Sequence, residues 1–159
     1  FSALWWGGLC TLLFTLPLVL FLVYKLARKE LTDADVSVRE QRHSFYVFGA
    51  LCMVVCFVVL LWLKAPQVLI EMFIGGLLMV MAFAIVTRFL TKVSVHTGAM
   101  AAATVAVAFY SWPWAIVLSG ASALVIWSRL ILKRHTSVEI VAGATISSTI
   151  LFLAMLFQK

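Results

Sequence analysis

Charged side chains are scarce in this sequence of 159 residues, and acidic ones are the scarcest. Only 11% of the residues are charged, with six Asp or Glu against twelve Lys or Arg, whereas 65% are hydrophobic. Water-soluble domains are about 45–50% apolar, so this composition excludes a water-soluble domain. The basic residues lie in short stretches between apolar segments, which is typical of membrane topology. We therefore predict a polytopic protein of the bilayer and no nucleic-acid partner.

Cysteine is also rare, and its spacing excludes the common zinc and redox motifs. The three cysteines lie inside apolar runs, and no two are spaced as Cys-x-x-Cys. No Cys/His pattern for a metal is present either. Because a free cysteine often behaves as a small hydrophobe, we interpret all three as core thiols: Cys10, Cys52 and Cys56.

Long apolar segments dominate what remains. About 20 apolar residues are needed for one helical crossing. We predict six spans, at residues 3–24, 44–63, 68–89, a fourth that contains the small-residue run 99–108, and then 115–132 and 138–157. The expected fold is all-α, a helical bundle in one domain over residues 1–159. We expect Pro17 to bend the first span. The chain starts at Phe1 and not at Met, which leaves room for a preceding segment.

Three polar stretches follow the first, third and fifth predicted spans. They cover residues 25–43, 91–98 and 128–139. In a chain that crosses the membrane six times, these stretches come to the same surface. All three histidines of the chain, His43, His96 and His135, lie in or beside them. We therefore predict one site built from three separated stretches.

The third stretch carries the clearest chemical pattern. Ser128 and Arg129 are followed by five residues, then His135, then three residues and Glu139. Ionisable groups close to the hydrocarbon cost roughly 2.5–3.5 kcal/mol each, so they tend to mark a functional site. A carboxylate that holds one imidazole nitrogen leaves the other as a nucleophile. A guanidinium matches phosphate oxygens, and the pattern therefore indicates attack on phosphorus.

This pattern resembles the type-2 phosphatidic acid phosphatase superfamily, the membrane lipid phosphate phosphatases that are related to vanadium haloperoxidases. The third motif of that family is Ser-Arg, five residues, His, three residues, Asp. Ser128, Arg129, His135 and Glu139 match it, with Glu in place of Asp.

The other two motifs of the family are matched in part. The second is Pro-Ser-Gly-His, of which residues 93–96 keep Ser94 and His96. The first is Lys, six residues, Arg-Pro. Here Arg42 matches the Arg, while Asp35 and His43 stand at the Lys and Pro positions.

The resemblance implies a role for each matched residue. His135 would be the nucleophile that forms a phosphohistidine, Glu139 would orient it, and His96 would be the general acid. Neither a metal nor another cofactor would be needed. The substrate would be a lipid phosphate or a polyprenyl (di)phosphate. The phosphate would be held by Arg129, Ser94, Arg42 and Ser128, with Lys92 or Arg39 in place of the missing Lys.

Other interpretations of these residues remain open. Thr136-x-x-Glu139 also fits a capping box that opens the sixth helix. Asp33 and Asp35 could be half of a magnesium site, as in lipid or prenyl transferases. The chain could also be a non-catalytic carrier of the same fold. The excess of Lys and Arg on the predicted site face favours a cytoplasmic location for that face.

Overall fold

The computed structural model describes residues 2–156, which form helices and short loops with no strand among them. The predicted all-α fold is confirmed. The helices are α1 (Ala3–Cys10), a π-helical turn (Thr11–Thr15), α2 (Leu16–Ala27), α3 (Arg42–Trp62), α4 (Gln67–Phe89), α5 (Val95–Tyr110), α6 (Trp112–Ile131) and α7 (Ser137–Leu156).

Within the described chain, five stretches are long and apolar enough to cross a membrane: Ala3–Ala27, Arg42–Trp62, Gln67–Phe89, Trp112–Ile131 and Ser137–Leu156. By the length and composition of these helices, the chain is a multi-pass membrane protein. The predicted fourth span corresponds to α5, which is shorter, at 16 residues. Such a helix is about 24 Å long, less than a hydrocarbon core of about 30 Å. The predicted end of the sixth span, Phe157, lies outside the described residues.

The hydrogen-bonding pattern of the first span changes close to Pro17. Pro17 is the second residue of α2, and the π-helical turn directly precedes α2. A proline has no N–H to donate to the carbonyl four residues earlier, so a regular α-helix cannot continue through this point. The structure has a π-helical turn just before this proline, and the predicted bend stays a prediction.

Three of the described helices end in the same way. Lys29, Lys64 and Lys133 follow α2, α3 and α6 with φ of 56°, 54° and 51°. In each case this residue and the next donate backbone N–H groups back into the last turn. These are Schellman caps, in which glycine is the usual left-handed residue. A lysine there adds a positive charge at the negative end of the helix dipole.

The chain divides into two compact units, Phe1–Phe73 and Ile74–Lys159, with the boundary inside α4. The prediction of a single domain stays a prediction. In the first unit, the buried residues Trp6, Cys56, Leu60 and Ile70 form the core. Cys52 and Cys56 are buried and Cys10 is partly buried, all three as free thiols.

In the second unit, α5 and α7 approach each other through small residues. A Cβ added to Gly143 would lie 2.6 Å from the backbone oxygen of Ser94. A Cβ added to Gly98 would lie 2.6 Å from Ser147 Oγ and 2.5 Å from the ring of Phe83. Small residues allow such close backbone approach between membrane helices. The start of α5 therefore lies against α7 one turn after Glu139.

We predict that Gly143→Ala destabilises the protein by about 1–3 kcal/mol, because the new methyl group meets a backbone atom that cannot rotate away. The measurement is thermal unfolding of the purified protein in detergent. Gly120→Ala is the matched control, since a Cβ at Gly120 meets nothing within 4 Å. That change should stabilise α6 by about 0.5–1 kcal/mol. Equal effects of the two substitutions would contradict the close approach.

Candidate functional site

The loop between α6 and α7 holds His135 through the end of α6. The Schellman cap at Lys133 turns the chain, so that Arg134 N donates to the carbonyl oxygen of Arg129 at 3.1 Å. His135 N lies 3.4 Å from the same oxygen and also donates to it. The carbonyl oxygen of Arg129 thus holds the backbone of His135, which lies six residues later in the chain.

The first turn of α7 is opened by a capping box. Thr136 N donates to Glu139 Oε2 at 3.1 Å, and Glu139 N donates to Thr136 Oγ1 at 3.4 Å. These are the two reciprocal bonds that define the motif. The predicted capping box of Thr136 and Glu139 is therefore confirmed.

The same carboxylate oxygen also contacts the imidazole. His135 Nδ1 lies 2.9 Å from Glu139 Oε2, and both residues are buried, with 8% and 6% of their surface exposed. An ionised carboxylate only accepts hydrogen bonds, so Nδ1 is the donor in this pair. The neutral ring then has its lone pair on Nε2. The side chain of Glu139 thus both caps the start of α7 and orients the imidazole of His135.

Lys92 reaches this pair from the α4–α5 loop. Its Nζ lies 3.8 Å from Glu139 Oε2 and donates to the carbonyl oxygen of Arg134 at 3.3 Å. The predicted phosphate ligand thus contacts the carboxylate and the α6–α7 loop. Its charge offsets that of Glu139 in a partly desolvated place, where ion pairs are screened less than in water.

Ser94 joins the second and third predicted stretches through its main chain. Its N–H donates to the carbonyl oxygen of Glu139 at 3.2 Å. Its hydroxyl is fully buried and lies 2.9 Å from Thr97 Oγ1. Ser94 therefore connects the start of α5 to α7, and its predicted contact with phosphate stays a prediction.

The remaining predicted residues of the second unit have simpler surroundings. Ser128 Oγ donates to the carbonyl oxygen of Val125 at 2.8 Å, within α6. Arg129 lies in the last turn of α6 and is half-buried. His96 lies in the first turn of α5 and is exposed. Their predicted roles toward a phosphate stay predictions.

The residues of the first predicted stretch belong to the first unit. Arg42 begins α3 and is buried, and its Nε donates to the carbonyl oxygen of Val36 at 2.8 Å. Its backbone N–H donates to the carbonyl of Arg39 at 3.2 Å. Val36 has φ 48°, which is unusual for a β-branched residue. The predicted contribution of Arg39 and Arg42 to a phosphate site stays a prediction.

Asp33 organises the loop that precedes these arginines. Its Oδ1 accepts hydrogen bonds from Asp35 N, Ser37 N and Ser37 Oγ at 2.9, 3.3 and 3.1 Å. Partial burial raises the pKa of Asp33, but the hydrogen bonds from Ser37 and Asp35 outweigh it and hold the pKa below its ordinary value. The Asp33 carboxylate thus accepts hydrogen bonds from residues of its own turn. Among the described residues, no group of three His, Cys, Asp or Glu is arranged to hold a metal ion.

Sequence reasoning missed three of these contacts. The contacts of Lys92 and of Ser94 with Glu139 join residues more than forty positions apart, and no local pattern signals them. The Asp33 turn did have a signal, because an Asp that accepts from backbone N–H groups two to four residues later is a common turn.

The comparisons with known proteins add no relative. No protein-family model matches the chain, and no curated protein or solved structure matches it either.

We predict that Asp33→Ala destabilises the protein at neutral pH by about 1 kcal/mol, because four hydrogen bonds to the carboxylate are lost, from Thr32, Asp35 and Ser37. The pKa of Asp33 is lower in the folded protein than its ordinary value. Its contribution is therefore fully present above about pH 4 and is lost as the pH falls through the folded-state pKa. The measurement is thermal unfolding of both proteins from neutral to acidic pH. The difference between their unfolding midpoints should become smaller as the pH falls.

Glu40→Ala is the control for this experiment, since Glu40 is exposed and lies in the same loop. It should unfold like the unsubstituted protein throughout. If the difference caused by Asp33→Ala were the same at all pH values, the charge of the carboxylate would not contribute to the turn.

Proposed function

We propose that this protein is a membrane phosphatase that hydrolyses a lipid phosphate monoester or a polyprenyl (di)phosphate through a phosphohistidine. The buried hydrogen bond of 2.9 Å between His135 Nδ1 and Glu139 Oε2 carries the proposal. It is the arrangement that a histidine nucleophile needs, because the carboxylate fixes the tautomer and stabilises the positive charge that develops on the ring. The motif resemblance at residues 128–139 supports the same chemistry.

The reaction has two steps. In the first, the lone pair of His135 Nε2 attacks phosphorus, a P–N bond forms, and the P–O bond to the lipid breaks. The leaving oxygen takes a proton, which the resemblance assigns to His96. In the second, water attacks the phosphohistidine and gives a proton back to His96, a new P–O bond forms, and the P–N bond breaks to give inorganic phosphate and the unmodified His135.

Cations would stabilise the charge on the transferring phosphoryl group. Arg129 is the first candidate, because it stands in the last turn of α6 and its carbonyl already fixes His135. In phosphoryl transfer, positioning and electrostatic stabilisation supply most of the catalysis. Lys92 contacts Glu139, so its charge acts on the carboxylate and the imidazole as well as on an incoming phosphate. No metal takes part in the proposed steps.

The sidedness of the site belongs to the same proposal. The α6–α7 loop carries Lys133 and Arg134, and the last turns of α6 and α4 carry Arg129 and Arg88. The loop between α3 and α4 carries only Lys64. The positive-inside rule then favours the cytoplasmic face for the His135 loop.

We predict that the purified protein releases phosphate from phosphatidic acid or a polyprenyl diphosphate in detergent with excess EDTA. His135→Ala should lower this rate by at least about 10³-fold, because the nucleophile is removed. His43→Ala is the matched control, since His43 is exposed in the first turn of α3 and has no proposed role. It should keep the rate of the unsubstituted protein.

Two other outcomes would replace the proposal. Release only with added magnesium, and loss of that release in Asp33→Ala, would favour the transferase interpretation. Failure to act on any lipid phosphate, together with retained lipid binding, would favour a carrier.

We predict that Glu139→Gln separates catalysis from helix capping. A Gln at this position still accepts from Thr136 N, but it cannot stabilise an imidazolium, so turnover should fall by about 10⁴-fold. The thermal unfolding midpoint should change little. Thr136→Ala is the complementary variant, because it removes the cap and should cost about 1 kcal/mol of stability while much of the turnover remains.

A loss of turnover in Thr136→Ala as large as that in Glu139→Gln would contradict this separation. It would mean that the capping box, and not the contact with His135, is the function of Glu139.

A further inference from the structure

Two basic side chains contact the same carboxylate oxygen at the start of α7. Glu139 Oε2 lies 2.9 Å from His135 Nδ1 and 3.8 Å from Lys92 Nζ. The side chains of His135 and Glu139 are 4% and 8% exposed, and that of Lys92 is 25% exposed. Water and salt screen charges at such a place less than at an open surface. The charge of Lys92 therefore affects whether His135 takes up a proton.

The balance of charges among these three side chains favours a neutral imidazole. One carboxylate offsets one cation, and Lys92 already supplies that cation to Glu139. A proton added to His135 would leave a net positive charge on the group, and burial by itself disfavours the charged form of an imidazole. Without the charge of Lys92, the carboxylate of Glu139 would favour the imidazolium, in which both ring nitrogens carry a proton.

We propose that Lys92 keeps the imidazole of His135 neutral, and therefore able to attack phosphorus, by offsetting the charge of Glu139. This inference rests on the proposed function, in which the lone pair of His135 Nε2 forms the P–N bond. An imidazolium has no such lone pair. Glu139 alone would select the correct tautomer but would also favour a second proton on the ring. Lys92 opposes that second proton and leaves the hydrogen bond from Nδ1 to Oε2 in place.

The substrate reverses this balance when it arrives. A phosphate monoester brings roughly 1.5–2 negative charges at pH 7, more than the single positive charge of Lys92 offsets. The ring of His135 can then take up the positive charge that develops as the P–N bond forms, and Glu139 stabilises that charge. Lys92 thus acts on the protein before the phosphate is bound, and this role is separate from its predicted contact with phosphate.

Other ionisable side chains lie on the elements that adjoin the loop of His135. They are Arg88 in the last turn of α4, His96 in the first turn of α5, Arg129 in the last turn of α6, and Lys133 and Arg134 in the loop itself. The arginines stay charged at every pH that a folded protein tolerates. All of these groups are the same in variants that differ only at position 92, so a comparison of such variants isolates the charge of Lys92.

The first test measures the protonation of His135 and needs no turnover. The protein is produced with isotope-labelled histidine, and the ring signals are followed by NMR in detergent from acidic to basic pH. The chain has three histidines, and the signal that is absent from His135→Ala identifies His135. Lys92→Met should raise the midpoint of its titration by about one pH unit, the lower end of the effect of a charge at roughly 4–6 Å. Lys92→Arg keeps the charge and should titrate like the unsubstituted protein.

Two further variants separate the charge of Lys92 from its other contributions. Lys92→Gln lacks the charge but keeps an N–H group for the carbonyl of Arg134, to which Lys92 Nζ donates at 3.3 Å. It should shift the midpoint as Lys92→Met does, and a midpoint like that of the unsubstituted protein would reject the role of the charge. Lys133→Met is the matched control, because it removes an exposed lysine from the same loop as His135. Solvent screens that charge, so the midpoint should change little.

The proposal is overturned by an unmoved midpoint in Lys92→Met and Lys92→Gln, or by an equal shift in Lys133→Met. Thermal unfolding shows which variants are folded, and either uncharged variant at position 92 suffices for the test.

The second test follows kcat/KM for phosphatidic acid against pH, which reports the ionisation of the free protein. Lys92→Met should lose activity at a pH about one unit higher than the unsubstituted protein does, which is a loss of up to about tenfold on the acidic side. Lys92→Arg should restore the profile. A higher KM without this shift would mean that Lys92 only holds the phosphate, and would reject the proposal.

The two tests together distinguish failure of this inference from failure of the proposed function. A shifted titration of His135 without phosphate release from any lipid phosphate would reject the phosphatase and retain the effect of Lys92 on the imidazole. Phosphate release with an unmoved titration would reject the effect of Lys92 alone.

Discussion

The carboxylate of Glu139 is the group on which the arrangement of the second unit depends. Its Oε2 accepts hydrogen bonds from His135 Nδ1 and Thr136 N and lies 3.8 Å from Lys92 Nζ, while its carbonyl oxygen accepts from Ser94 N. A buried carboxylate is costly unless hydrogen bonds and a counter-charge offset its desolvation. The helix start, the imidazole, the lysine and the start of α5 supply these partners together. Any functional interpretation of His135 therefore includes the structural role of Glu139.

Close packing one turn later maintains this set of contacts. Gly143 lets the carbonyl of Ser94 approach the backbone of α7, and Gly98 allows the ring of Phe83 and the hydroxyl of Ser147 to approach α5. In a membrane the hydrophobic effect does not press helices together, so their association depends on such packing and on hydrogen bonds. The bond from Ser94 N to the Glu139 carbonyl and the contact at Gly143 thus support each other. The position of His135 and Glu139 therefore depends in part on glycines that carry no functional group.

Much of the fold could be predicted from the sequence because the signals are local. Long apolar runs indicated the helices, and the spacing of Thr136 and Glu139 indicated the capping box. The pairing of His135 with Glu139 follows from the same kind of reasoning, since residues four apart lie on one face of a helix start. The contacts of Lys92 and Ser94 could not be predicted, because they join distant parts of the chain. The length of α5 was not predicted, because the sequence analysis identified the fourth span only by its small-residue run 99–108.

At position 139 this chain has a Glu where the motif that it resembles has an Asp, and the capping box gives a physical reason for the Glu. An Asp stands at this position in the family pattern, and its carboxylate is one methylene closer to the backbone. A capping box uses Glu or Gln at the third helical position, since the longer side chain reaches back to the N–H of the capping residue. Glu139 does so, at 3.1 Å from Thr136 N, with the same oxygen that lies 2.9 Å from His135 Nδ1. We infer that the extra methylene allows one oxygen to serve the helix start and the imidazole at once. Glu at this position is then compatible with the proposed histidine nucleophile.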